Sequence, residues 1–230
     1  MSKHGKRYEA AKALIDSDRT YSPEEAVALL KQMPPARFDE TILATVALGI
    51  DPTKNDQMVR SSVLLPKGLG KTRRVAVFAK GEKAQEAEAA GADVVGLEDL
   101  VEKVGEGWTE FDVAIATPDV MGQVAKVAKI LGPRGLMPNP KAGTVTFDIA
   151  DAVREAKAGK VEFRADKGAN IHVPIGRKSF AEDDLRENLD ALMDALMRAK
   201  PSSSKGQYLR RVWLSPAMGP SIQVDPASWR

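Results

Sequence analysis

The stretch that decides the fold is Gly159–Lys178, GKVEFRADKGANIHVPIGRK. Val161, Phe163 and Ala165 alternate with Lys160, Glu162, Arg164 and Asp166, and Ile171, Val173 and Ile175 alternate with Asn170, His172 and Pro174. A period of two sends one set of side chains to a core and the other to an open face. Asp166-Lys167-Gly168-Ala169-Asn170 between the two runs is turn chemistry, so the stretch predicts a hairpin of two short strands. Its open face and ends carry Lys160, Arg164, Lys167, His172, Arg177 and Lys178. Taken alone, this is either a solvated basic hairpin or one side of a surface for nucleic acid.

The same alternation appears near both ends of the chain. Residues 39–50, DETILATVALGI, and 58–65, MVRSSVLL, predict strands on the N-terminal side, and residues 207–215, QYLRRVWLS, and 221–224 predict strands on the C-terminal side. Two helices accompany them. Ser22-Pro23-Glu24-Glu25 combines a capping serine, proline at the first helical position and a glutamate that completes a capping box. Pro34-Pro35 ends that helix. Ser179-Phe180-Ala181-Glu182 predicts a second capping box, opening a helix with Leu185, Leu189, Leu192, Met193 and Leu196 on one stripe. Residues 2–12 form a basic segment with Lys3, His4, Lys6, Arg7 and Lys12.

Between these parts the pattern changes. Val75–Ala79 and Phe111–Ala116 are continuous apolar runs, the pattern of strands buried on both faces. Helices are predicted over 82–90, 98–104, from Thr117-Pro118 to Leu131, and over 149–158, with short strands at Val94-Val95 and Thr144–Asp148. Strand and helix in alternation predict a small parallel α/β layer structure. The reading is therefore two domains. Residues 1–67 and 160–230 build an outer α+β domain, and 68–159 form an inserted α/β domain. Lys67, Gly68 and Gly159 mark the crossings and the candidate hinge.

Composition narrows the function classes. Of 230 residues, 43% are apolar and 29% charged, with a net charge of +2. The outer parts carry +1 and +3 and the middle carries −2. The sequence contains no cysteine and only His4 and His172 as histidines, so no thiolate or histidine metal site is expected. No apolar run is long enough to span a membrane, no secretory signal is present, and a cytoplasmic protein is expected. Gly68-Leu69-Gly70-Lys71-Thr72 lacks the earlier glycine of a phosphate-binding loop, because Leu65 stands there, and a strand rather than a helix follows. No catalytic constellation and no cofactor are expected.

What remains is an RNA surface on the outer part. Arg37, Phe38 and Thr41 enter the first strand, Arg60 lies in the second, and Arg164, Lys167 and His172 lie on the hairpin. Arg210 and Arg211 precede Met218 and Gly219. Cations suit phosphates, while an exposed aromatic or methionine packs on ribose or base. Phe38 reads equally well as a core residue under the helix at 23–33, and Met218 as a turn residue packed inward.

The chain resembles the bacterial ribosomal protein L-one family, that of the mobile stalk beside the tRNA exit site. The likeness runs from KHGKRY at 3–8 and RFDET at 37–41 through GIDP at 49–52, LPKGLGK at 65–71, AKGEK at 79–83 and ATPDVMG at 116–122. It continues through ILGPRGLMPNPKAGTV at 130–145 and KAGKVEFRADK at 157–167 to MGPS at 218–221. The resemblance implies an outer split β-α-β domain and a Rossmann-like insertion on a hinge. It implies binding to the stalk rRNA, help in releasing deacylated exit-site tRNA, repression of the protein's own mRNA, and a monomer outside the ribosome. It maps the RNA strip onto Arg37, Phe38, Thr41, Arg164, Lys167, His172, Met218 and Gly219. Lys3, Lys6, Arg7, Arg60, Arg134, Lys141, Arg210 and Arg211 are candidate additional RNA contacts. Ala217 stands where the family usually has threonine. The alternative reading is a small α/β enzyme that binds a phosphorylated ligand at the Gly/Pro-rich loop 132–143.

Overall fold

The computed structural model describes residues 5–229, except for the side chain of Asn55. These residues fall into two compact units, Met1–Gly70 with Val161–Arg230, and Lys71–Lys160.

The first unit opens with α1 (Lys6–Ala13) and α2 (Pro23–Gln32). The basic N-terminal segment is thus a helix from Lys6 onward, anchored by Ala11, which is buried in the core of this unit. Ser22 caps α2 as expected: its hydroxyl accepts from the Glu25 amide at 3.2 Å, and Glu25 accepts from the Ser22 amide at 3.1 Å. The strands of this unit are β1 (Thr41–Leu48) and β2 (Arg60–Leu64).

The second unit follows with β3 (Val75–Phe78), α3 (Glu82–Ala89), β4 (Val94–Gly96), α4 (Glu98–Gly105), β5 (Val113–Ala116), α5 (Met121–Val124), α6 (Ala128–Leu131) and α7 (Ile149–Ala158). Its parallel sheet has the order β4-β3-β5. Phe78 and Ala116 pack on one face with Leu100, Val104 and Leu131, while Val77 and Ile115 pack on the other with Ile149 and Val153. Helices on both faces explain why β3 is buried at all four positions and reads as a continuous apolar run.

Two expectations for this unit need correction. The helix expected from Pro118 to Leu131 is broken into short α and 3-10 turns, and Thr117 makes no side-chain cap. Residues 144–148 do not form a strand. Only Val145 pairs, as a single parallel bridge to Ala116.

The chain then returns to the first unit with β6 (Lys160–Arg164), β7 (Asn170–Arg177), α8 (Glu182–Arg198), β8 (Leu209–Pro216) and β9 (Ile222–Val224). The main sheet has the order β7-β1-β8-β9, with β1 antiparallel to both neighbours. Strands β7 and β8 are therefore parallel to each other, joined by α8, with β1 between them: a split β-α-β arrangement. Pro174 sits in β7, an edge strand, where a missing N–H is tolerated. One face of the sheet, with Ile42, Ala44, Val46, Ile171, Val173 and Leu214, is fully buried in the same core cluster as Leu30, Leu189, Leu192 and Leu196 of the helices.

The predicted hairpin is corrected here. The turn exists, with the Asp166 amide donating to the Asn170 carbonyl at 2.8 Å, but its two strands part company. Strand β6 pairs with β2 in a separate two-stranded sheet, while β7 pairs with β1. The divergence follows from the partners. The Ala165 amide bonds the Val59 carbonyl, and the Ala169 carbonyl accepts from Leu48, so each side of the turn is drawn to a different strand. The second capping box is also corrected. Ala181 is the N-cap of α8, and Ser179 instead donates its hydroxyl to Asp39 at 2.8 Å.

Candidate nucleic-acid interface

The residues of the expected RNA strip fall at the two ends and on the open face of the main sheet. At the entrance of β1, Arg37 and Phe38 are exposed, and at the exit of β8 so is Met218. Phe38 and Met218 are each 57% exposed, a large apolar area left to solvent. The alternative of a buried Phe38 does not hold, and neither does an inward Met218. The two lie at one end of the sheet, because the Ala217 amide donates to the Thr41 carbonyl at 2.9 Å. Gly219 is required there: a Cβ would lie 2.6 Å from Pro216.

The loop that carries Arg37 and Phe38 is held from several sides. The Lys178 ammonium donates to the Met33 carbonyl at 2.7 Å, and its amide donates to the Glu40 carbonyl at 2.8 Å. Burial pushes the Lys178 ammonium down from the ordinary lysine range. Asp39 accepts from the Ser179 amide at 3.1 Å, and its carbonyl accepts from Arg177 at 3.1 Å. The Lys31 ammonium donates to the Lys178 carbonyl at 2.6 Å and also to that of Phe180. The tip is thus presented by a fixed frame rather than by a loose strap.

Arg7 belongs to this frame. One guanidinium nitrogen donates to the Met218 carbonyl at 2.7 Å, and the other lies 3.2 Å from Glu40 Oε1. Glu40 is only 1% exposed, and its Oε2 has no partner. Arg7 is expected as an additional RNA contact, and its geometry makes it an internal brace as well, because a buried carboxylate holds the cation.

The open face has a defined register. Thr45 stands opposite His172 on one side and Trp213 on the other, and Trp213 stands opposite Gln223. The Thr45 hydroxyl lies 3.1 Å from His172 Nδ1. Next to this row come Leu43, Pro174 and Ser215, and then Ala47, Asn170 and Arg211. Trp213, half-exposed in the centre, was missed in the sequence. Its parity with Arg211 and Ser215 was a usable signal, but a register shift beside Leu209 obscured it. That shift leaves both Arg210 and Arg211 exposed on adjacent positions.

Arg164 and Lys167 are exposed at the opposite end of the sheet, near the Leu48 end of β1. The strip therefore has two ends, about 25 Å apart for an eight-residue strand at roughly 3.4 Å per residue, with Thr41 and His172 along its length. Arg60 is bound to Glu162 at 2.5 Å. Lys6 is exposed on α1, and Lys3 lies outside the described residues. Lys67 and Gly68, expected as hinge residues, are tied to α8. Buried Asn188 accepts from the Lys67 amide at 3.0 Å and donates to the Gly68 carbonyl at 3.0 Å. Gly159 is the C-cap of α7, with φ 113°.

Arg134 and Lys141 lie in the second unit. Arg134 donates to the Thr109 hydroxyl, and Lys141 is exposed. The loop around them uses its own amides. Gly135, Leu136, Ala142 and Gly143 donate to nearby carbonyls, Lys141 donates to Asn139 Oδ1, and Asn139 donates to Thr144. A phosphate cradle needs such amides pointing at the ligand, which weighs against the enzyme reading. Among the described residues, no group of three or more acidic or histidine side chains is placed to hold a metal. No described helix is long and apolar enough to cross a membrane.

A chain of mixed α/β build with this platform falls in the class of large-subunit ribosomal proteins, for the family model described as the ribosomal protein L1p/L10e family matches residues 30–220. The chain belongs to that family. It is a structural, non-enzymatic constituent of the large ribosomal subunit, binds ribosomal RNA and works in translation, with the ribosome in the cytoplasm.

Proposed function

We propose that the protein grips the rRNA of the stalk beside the tRNA exit site through the sheet platform of its first unit. The observation that carries this reading is the pair Phe38 and Met218, each 57% exposed at one end of the sheet. Exposed apolar side chains on a braced frame, next to Arg37, suit ribose and base packing beside a phosphate. Thr41 and Gly219 complete that end, Thr45, His172 and Trp213 line the middle, and Arg164, Lys167, Arg210 and Arg211 supply cations at the other end. A modest net charge of +2 fits a compact shape-read site better than a long electrostatic track.

On this reading, residues 1–67 and 160–230 are one discontinuous RNA-binding domain, and the inserted block moves relative to it. Because Asn188 fixes Lys67 and Gly68, we place the first pivot beyond Gly70. The moving block helps deacylated tRNA leave the exit site, with Arg134 and Lys141 as its candidate RNA contacts. The same platform binds a similar fold in the protein's own mRNA and represses translation, and the free protein is a monomer. The resemblance of the motifs to the family supports these finer points.

The test is a chemical footprint of the pure protein on total rRNA, with the first unit alone as a second probe. Protection confined to one stalk-like fold, retained by residues 1–70 joined to 161–230, is the expected result. Protection mapped to the inserted block alone overturns it. The second-unit enzyme reading would gain from tight, saturable nucleotide binding.

A further inference from the structure

At the end of the sheet remote from Phe38 and Met218 there is a cleft of about 380 Å³, lined by Pro52, Met58, Arg164, Ala165, Asp166 and Lys167. Met58 is 38% exposed. The Arg164 and Lys167 side chains have no partner among the described residues, in contrast to neighbouring Arg60, which is held by Glu162. Asp166 Oδ1 fixes the turn by accepting from the Gly168 and Asn170 amides at 2.8 and 2.7 Å. Its Oδ2 lies 3.6 Å from His172 Nε2, and the Asn170 side chain also bonds the carboxylate.

These parts differ from a simple phosphate contact. Two unpaired cations on a solvated turn suit phosphate by themselves. The apolar wall of Met58, Pro52 and Ala165 adds a surface on which a base or ribose packs, and the guanidinium plane of Arg164 adds a second. A carboxylate oxygen with open acceptor capacity matches an exocyclic amino group, and uracil has none.

We propose that this cleft holds one unstacked nucleotide of the bound RNA, with its phosphate on Arg164 and Lys167, its base against Met58, and an amino-bearing base on Asp166. This deepens the RNA-platform reading and rests on it.

The test uses the full chain and large-subunit rRNA, measuring Kd across a salt series together with nucleotide-by-nucleotide chemical reactivity. Met58→Ala is expected to raise Kd about 5–50-fold with the salt slope unchanged, and to expose one A, C or G that the wild type protects. Arg164→Gln is expected to raise Kd and reduce the slope by about one. Met58→Gln, which keeps length but not apolar character, is expected to behave as Met58→Ala, and melting temperatures show that each variant is folded. If Arg164→Gln acts and both Met58 variants bind as the wild type does, the cleft is only a phosphate contact and the proposal fails. Protection of a uridine also overturns it. Met218→Ala separates this from the wider reading: loss there with unchanged cleft variants sinks the cleft alone. No loss in Met218→Ala or Phe38→Ala sinks the platform itself.

Discussion

Arg7 donates to the Met218 carbonyl at 2.7 Å across 211 positions of sequence, while the same guanidinium meets Glu40 at 3.2 Å. This joins the first described helix, the entrance of β1 and the turn after β8 into one corner. The two exposed apolar side chains of the platform sit on the segments so joined. An RNA that packs on both then meets a surface whose geometry is already set, and ordering costs on binding are small.

Replacing Arg7 by alanine is expected to weaken rRNA binding about 3–10-fold while leaving the salt dependence of Kd nearly unchanged, because no phosphate contact is removed. It also strands the buried Glu40 carboxylate and lowers stability by about 1–3 kcal/mol. Glu40→Gln in the Arg7→Ala background is expected to restore part of that stability. Salt-dependent filter binding and thermal melting check both. A slope reduced by about one would instead mark Arg7 as a phosphate ligand.

Phe38→Ala and Met218→Ala are each expected to raise Kd for the stalk rRNA by about 5–30-fold, in line with about 1–2 kcal/mol per lost stacking or packing contact. Both side chains are mostly in water in the free protein, so neither change should shift the melting temperature appreciably. Fixed-salt titration and calorimetry are the measurements.

Asn188 is fully buried in α8 and satisfies three backbone groups, the Lys67 amide and the carbonyls of Gly68 and Ile175. Asn188→Leu leaves them without that partner, the Ile175 carbonyl in a buried setting and the other two in part-buried ones. The expected cost is about 2–4 kcal/mol, or roughly 5–15 °C in Tm for a unit of this size. Hydrogen exchange should show the Lys67 amide losing its protection first.

The Asp166 carboxyl is held below the usual aspartate range, chiefly by the Asn170 amide and further by that of Gly168. Its folded-state value lies below the unfolded one, so its contribution is present above the unfolded pKa of about 3.9. It is lost as pH falls through the lower folded-state value. The amides of Gly168 and Asn170 are therefore expected to lose protection, relative to their intrinsic exchange rates, as the pH falls and before the core opens. Asp166→Asn, which keeps an acceptor but not the charge, should remove most of that acid sensitivity, as read by NMR between pH 6 and roughly pH 3.

The amino-acid sequence by itself determined the elements whose cause lies within a few positions. The Ser22–Glu25 box at the start of α2, the buried alternation of β1 and β7, and the apolar run of β3 all follow from local spacing and from which faces are covered. Ser179-Phe180-Ala181-Glu182 had the same spacing as the first box, yet Asp39, 140 residues away, took the serine hydroxyl. The motif strings likewise sufficed for the family, since they need only order along the chain.

Only the tertiary structure decided who pairs with whom. Strands β6 and β7 are neighbours in sequence, but the better partners for each, β2 and β1, are reached only on collapse. Arg7 reads as one more cation in a basic segment until a buried carboxylate is brought beside it, and Phe38 reads equally well as core or as RNA contact until the loop frame turns it outward. A side chain's role here depends on the dielectric and the partners around it, and those are set by contacts between residues far apart along the chain.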